Sequence, residues 1–137
     1  MDATAPTPYL RFAGTARQAL EHWQGVFGGE VRIATFADLA RTDGPADAVA
    51  HGQLTGAVDL FATDTSGHEE PFAASGLLFA LLGTAAPDVL RRWFDGLATG
   101  GTVLDPLQER PWGDWDGTVR DAFGVTWLIG FEASALR

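Results

Sequence analysis

Apolar residues fall at helical spacing in two stretches of the chain and in shorter runs elsewhere. In the first stretch Ala16, Leu20, Trp23 and Phe27 share one helix face. Thr15 and Gln18 fit a capping box at its start, and Gly28-Gly29 supplies a stop. In the second, Leu90, Trp93, Phe94 and Leu97 form the apolar stripe. Pro87 stands where a first-turn proline is tolerated, Asp88 suits the positive helix start, and Gly100-Gly101 ends the pattern. Trp23 and Trp93 are assigned to the core, with no functional role. The remaining runs predict strands at Tyr9 to Ala13, Glu30 to Asp38, Gly76 to Gly83 and Thr102 to Glu109. Two hairpins are expected: Ala50 to Thr55 with Ala57 to Asp64 about Gly56, and Thr118 to Phe123 with Val125 to Phe131 about Gly124. A polar loop from Ala40 to Asp47 and a joining segment from Thr65 to Ala74, broken by Gly67 and Pro71, separate them.

Set side by side, the halves repeat. Each runs strand, helix with a Trp, Gly-Gly stop, strand, and a hairpin turning on one glycine. Glu30-Val31 answers Thr102-Val103, and Leu54-Thr55-Gly56-Ala57 answers Ala122-Phe123-Gly124-Val125. One βαβββ half could not bury its own sheet, so the expected fold is α+β, two paired βαβββ modules in one domain. Module one spans about residues 8–66 and module two about 74–132.

Composition narrows the chemistry. The 137 residues suit one domain, and 46% apolar with 20% charged residues suits a globular core. Nine basic against eighteen acidic side chains give a net charge of −9, with no basic patch for phosphates. Nucleic acid and anionic membrane surfaces are therefore not expected partners. There is no Cys, which excludes disulfides, thiolate catalysis and cysteine metal ligands. All nine basic residues are Arg, so Schiff-base chemistry on lysine and a Walker-type phosphate loop are excluded too. Ser66, Ser75 and Ser134 are the available serines, and none stands in a G-x-S-x-G turn. Met1 to Pro8 lacks the basic start and apolar stretch of a secretory signal. Leu77 to Leu82, the most apolar run, is far short of the roughly 20 residues that span a bilayer. A cytoplasmic location is expected.

Specific motifs add a resemblance. Pro8-Tyr9-Leu10-Arg11-Phe12, Ala19-Leu20 and Val26-Phe27-Gly28-Gly29-Glu30 resemble the opening of PhnB-like proteins, and Ala50-His51-Gly52-Gln53-Leu54 and Asp64 also fit. So do Gly100-Gly101, Pro106-Leu107-Gln108, Trp112-Gly113 and Asp121-Ala122-Phe123-Gly124-Val125-Thr126-Trp127. These proteins belong to the vicinal-oxygen-chelate superfamily of glyoxalase I, bleomycin-resistance proteins and extradiol dioxygenases. The resemblance implies a half-open barrel with a ligand cleft, commonly in a homodimer. It also implies, in the metalloenzymes, one His or Glu ligand on the first and last strand of each module, holding a Lewis-acid metal. Here those positions fall near Leu10 or Phe12, Asp59, Leu77 and Leu128, so one of the four at most retains a donor. No metal or other cofactor is expected.

His51 is the most suggestive titratable residue. It lies two before Gln53 on an expected strand, so both face one side, and histidine changes charge near neutral pH. Its competing reading is a half-buried structural histidine. His22 falls on the polar side of the first helix, and His68 in a solvated loop beside Glu69 and Glu70. The stretch Gln108 to Asp116 sets Trp112 and Trp115 among Pro, Gly and acids. It suits either the aromatic wall of a ligand site or a covering loop or dimer contact. Arg120 and Asp121 form an ion pair or anchor an anionic group. The expected cleft residues are His51, Gln53, Asp59, Phe61, Gln108, Trp112 and Trp127.

The leading expectation is a PhnB-like protein of undefined activity that binds a small organic molecule without a metal. One alternative is a divalent-metal lyase or dioxygenase of glyoxalase type with relocated ligands around His51. Another is a drug-sequestering dimer of the bleomycin-resistance kind, for which the negative charge would attract a cationic ligand. Methyl transfer is not expected, because Arg11-Phe12-Ala13-Gly14-Thr15 carries one glycine and no adenosylmethionine loop.

Overall fold

The computed structural model describes residues 4–136, so Met1 to Ala3, part of the N-terminal stretch read for a signal, lie outside the described residues. The chain divides between Phe72 and Ala73 into two compact units. The first contains β1 (Tyr9–Phe12), α1 (Ala16–Phe27), β2 (Glu30–Thr35), β3 (Val49–Thr55) and β4 (Leu60–Asp64). The second contains β5 (Phe79–Leu82), α2 (Pro87–Ala98), β6 (Thr102–Glu109), β7 (Trp115–Arg120) and β8 (Thr126–Phe131), then a 3-10 turn at Ala133–Leu136. The sheet orders, β1-β4-β3-β2 and β5-β8-β7-β6, are the same topology twice. The fold is α+β, built of two βαβββ modules. In each, the strand before the helix runs parallel to the last strand and the others pair antiparallel.

Each helix covers one face of its own sheet. Ala16, Ala19, Leu20, Trp23 and Phe27 of α1 are buried, as are Leu10, Phe12, Leu54, Leu60 and Ala62 of the sheet. Leu90, Trp93, Phe94 and Leu97 of α2 are buried with Val119, Trp127, Ile129 and Phe131. Burying each large apolar side chain among them contributes about 1.5–3 kcal/mol, which is why the stripe positions override other preferences. Gly52 on β3 lets α1 approach, since a Cβ there would collide with the Leu20 side chain.

The capping box is not made. Thr15 gives no side-chain cap to α1. Asp64, at the end of β4, supplies the acceptor instead: its Oδ1 takes the amides of Gly14 (3.1 Å) and Ala16 (3.0 Å), and its Oδ2 that of Val49 (2.9 Å). This carboxylate is 5% exposed and sits at the positive end of the helix. A partner 48 residues away from Ala16 in sequence is invisible to a local motif.

Turn chemistry moves several strand ends. Asp59 accepts the Gly56 amide at 3.0 Å, which takes Ala57 and Val58 into the turn, so β4 begins at Leu60. Thr35 and Asp38 exchange side-chain-to-amide bonds of 2.9 and 3.0 Å, ending β2 three residues before the expected Asp38. β5 starts at Phe79 instead of Gly76. The turn closed by the Arg110 amide on the Asp114 carbonyl (2.7 Å) starts β7 at Trp115, which pairs with both Glu109 and Phe131. Asp121 Oδ1 takes the Phe123 and Val125 amides at 2.9 and 3.0 Å, so β7 stops at Arg120. No helix among the described residues is long and apolar enough to cross a membrane.

Candidate functional site

The face of the first sheet turned from α1 carries the residues between the buried ones. Tyr9 is paired with Phe61, Phe61 with Gln53 and Gln53 with Arg32, giving one row across four strands. Arg11, Thr63 and His51 lie on the same face, one alternation further along. Three rings meet there. The Tyr9 hydroxyl and His51 Nδ1 are 2.8 Å apart in a hydrogen bond. The ring centroids are 5.5 Å apart for Tyr9–His51, 5.9 Å for Tyr9–Phe61 and 5.4 Å for His51–Phe61, the last two edge to face. Thr63, buried beside them, donates its hydroxyl to the Ala50 carbonyl at 2.8 Å and so fixes the strand behind His51.

This arrangement has definite chemistry. When Tyr9 donates to Nδ1, the proton of neutral His51 sits on Nε2, and that nitrogen becomes a donor. In the other tautomer Nδ1–H donates to the phenol oxygen and Nε2 becomes an acceptor. The pair therefore presents one polar nitrogen whose sense can reverse, framed by aromatic edges. Burial is the largest influence on the phenol and raises its pKa above 10.0, against a smaller opposing hydrogen bond with Thr63. Tyr9 thus stays a neutral hydrogen-bonding group at neutral pH.

Of the residues singled out from sequence, His51, Gln53 and Phe61 are brought onto this face. Asp59 stands in the turn before β4, with Oδ1 engaged by the Gly56 amide. The other three belong to module two. Gln108 on β6 donates to Asp105 at 2.8 Å. Trp112 is 68% exposed at the tip of the β6–β7 loop, on the wall of a recess of about 620 Å³. Trp127 is 1% exposed in the core of its module, its indole N–H donated to buried Asp121 at 2.9 Å, so it is placed for packing and not on an open face. Asp121 accordingly pairs with this indole and two amides, and Arg120 reaches Thr126 at 3.4 Å. Tyr9 was the residue missed. Its signal was the alternation Tyr9, Leu10, Arg11, Phe12, in which the apolar members are buried and Tyr9 faces the other way.

The same parity corrects the implied metal positions. Leu10 and Phe12 are 3% and 6% exposed beneath α1, so the open-face residues on β1 are Tyr9 and Arg11. On β4 they are Phe61 and Thr63, with Asp59 outside the strand. Leu77 precedes β5, and Leu128 lies with Thr126 on the face of β8 away from α2. Among the described residues no three His, Cys, Asp or Glu side chains gather where they could hold a metal ion. A phenol, a guanidinium, a benzyl ring and leucines do not supply the imidazole and carboxylate donors that a divalent ion needs. The described residues at these positions do not fit the metal that the resemblance implies.

No family model matches the chain. It is 28% identical to the protein YjdN of Escherichia coli K12 over 137 aligned positions, covering 90% of this chain and 92% of that one. Among solved structures, protein PA1353 from Pseudomonas aeruginosa superposes with a TM-score of 0.78 at 28% identity, covering 95% and 98% of the two chains. A PhnB protein from Bacillus cereus, described as a putative 3-demethylubiquinone-9 3-methyltransferase, superposes at 0.74 with 21% identity over 93% and 99%. A glyoxalase/bleomycin resistance protein from Albidiferax ferrireducens shares the fold at 0.58, with 13% identity over 95% and 99%. Likeness to PhnB and to the glyoxalase/bleomycin-resistance superfamily, read first from motifs, is thus met by the fold.

Proposed function

We propose that this chain, which has the fold of the glyoxalase/bleomycin resistance/dioxygenase superfamily, is a PhnB-like small-molecule binding protein. It works without a metal ion and in the cytoplasm. The site is the open face of module one. The observation that carries this reading is the Tyr9–His51 hydrogen bond framed by Phe61, on a face that α1 leaves uncovered. Aromatic walls with a few directional polar groups are what a pocket for a planar organic molecule requires. Tyr9 and Phe61 offer ring contacts, His51 Nε2 a donor or acceptor, and Gln53 both at once. Among the described residues no donor cluster supports the relocated-ligand metalloenzyme. The drug-sequestering reading differs only in the ligand.

The test is a two-dimensional NMR titration with small phenols, quinones and aromatic carboxylates. Saturable shifts should cluster at Tyr9, His51, Gln53 and Phe61, and His51→Ala should weaken binding by about tenfold, the scale of one lost buried hydrogen bond. Shifts that map elsewhere, or binding indifferent to His51→Ala, would overturn the assignment. Association into a homodimer is part of the proposal. It is supported by the exposed Leu77, Leu78, Leu82, Val103 and Leu104 of module two, each 44–53% exposed. Light scattering should then return twice the chain mass of 14.6 kDa.

A further inference from the structure

The recess of about 620 Å³ in module two has walls of two kinds. Trp112, Trp115 and Phe131 provide rings, while Asp114, Asp116 and Glu132 provide carboxylates, and no lining residue is basic. The loop that carries Trp112 is held at several points. The Arg110 amide bonds the Asp114 carbonyl at 2.7 Å, and the Gly113 amide bonds the Arg110 carbonyl at 2.8 Å. Asp114 Oδ1 takes the Ala133 amide at 3.1 Å, tying the loop to the 3-10 turn. Arg110 reaches Asp105 at 2.5 Å and Asp116 at 2.6 Å, which fixes the base of the loop. Trp112 itself is 68% exposed and makes no ring contact among the described residues. An indole held out on a braced loop, beside carboxylates, offers its negative face to a cation.

The rings behind it are already used in that sense. The Arg91 guanidinium lies 5.2 Å from the Trp115 centroid and 5.1 Å from that of Phe131, and the two rings stack at 15°. The protein's own cation thus occupies the stacked pair, and Trp112 is the ring left to an incoming one. The carboxylates differ in what they have left to give. Asp116 is neutralised in part by Arg110, Asp114 spends one oxygen on Ala133, and Glu132 meets Ser134 only at 3.4 Å. Glu132 therefore carries the charge most free to meet a ligand. The net charge of −9 adds long-range attraction of the same sign.

We propose that this recess binds an organic ammonium ion, its head over Trp112 and beside Glu132, its apolar body against the wall of Trp115 and Phe131. The site lies wholly within module two and does not depend on the open face of module one.

The experiment is calorimetric titration of the full chain with benzyltrimethylammonium and choline, and with dimethylbutanol, the neutral isostere of choline. One-to-one saturable binding of the cations is expected, with the isostere failing to bind. Trp112→Ala, at an exposed position that leaves the core untouched, should raise Kd by about threefold to tenfold. Glu132→Gln, which keeps the shape and removes the charge, should raise it by about threefold, and added salt should weaken binding. His51→Ala should leave it unchanged, which separates this site from that of module one. Absence of saturable binding, equal binding of the isostere, or insensitivity to Trp112→Ala would each overturn the proposal.

Discussion

Tyr9 carries the one phenol of the chain, so its ionisation can be followed by ultraviolet absorbance without a second tyrosine to confuse it. Burial raises its pKa above 10.0 in the folded protein. Below about pH 10 both states keep the proton and the contribution to stability is fully present; it is lost as pH rises from there through the raised folded value. A spectrophotometric titration should therefore give a midpoint above 10.0 that returns to the ordinary value in denaturant. A native midpoint at or below 10.0 would show that the partial burial of the half-exposed phenol does not govern its ionisation. Asp64 is a second residue with a strong expectation. Removing it leaves three amides without their acceptor in a buried place. Asp64→Ala should cost about 3 kcal/mol or more by denaturant unfolding. Asp64→Asn, with a single acceptor oxygen, should also fall below the wild type. His51 was legible from its type and its i, i+2 partner Gln53. Tyr9 was not, because its role depends on β1 lying parallel beside β4, and the sequence has no local sign of that pairing. Trp127 was misplaced for the same reason: only its alternation with Thr126 and Leu128 in the paired strand decides which of them meets α2.

At the level of elements, the helices were readable almost to the residue, since stripe, proline and glycine signals are local. The hairpins were read about the right glycines but with the wrong ends. In each case a carboxylate folded back on the turn, Asp59 on Gly56 and Asp121 on Phe123 and Val125, and shortened a strand that alternation alone would extend. The Gly-Gly pairs hold a further lesson. The first glycine of each has φ of 73°, as a helix stop requires. The second lies against the backbone of the neighbouring strand: a Cβ on Gly29 would strike the Thr55 carbonyl oxygen, and one on Gly101 the Arg120 carbonyl oxygen. Gly29→Ala and Gly101→Ala should each cost about 2 kcal/mol or more. Gly25, in the last turn of α1 with open space around its missing Cβ and no positive φ, should behave in the opposite way. Gly25→Ala is expected to raise stability by about 0.5–1 kcal/mol. Equilibrium unfolding of the three variants checks both signs together.

For the molecule as a whole, the order of elements and the repeat were legible because each module carries its own full set of signals. The ligand-bearing faces were not, because one residue of register exchanges every side chain on a strand for its neighbour. That is how Leu10 and Phe12 came to stand where Tyr9 and Arg11 belong. Protein purified without tag or chelator should contain no stoichiometric metal, and nickel, zinc, manganese or ferrous iron should leave its melting temperature unmoved. A ligand specific to the folded state would raise it with concentration. One tightly held ion per chain would revive the metalloenzyme reading. The second glycine of each pair also says something about how the chain can change. Every missense substitution at codons 29 and 101 adds at least a methyl group where the neighbouring backbone leaves no room. In a saturation-mutagenesis survey both positions should reject all other residues regardless of polarity, while most flanking sites accept several. Two such lines of intolerance at corresponding places would preserve the record of a duplication after most of the matching letters have drifted apart.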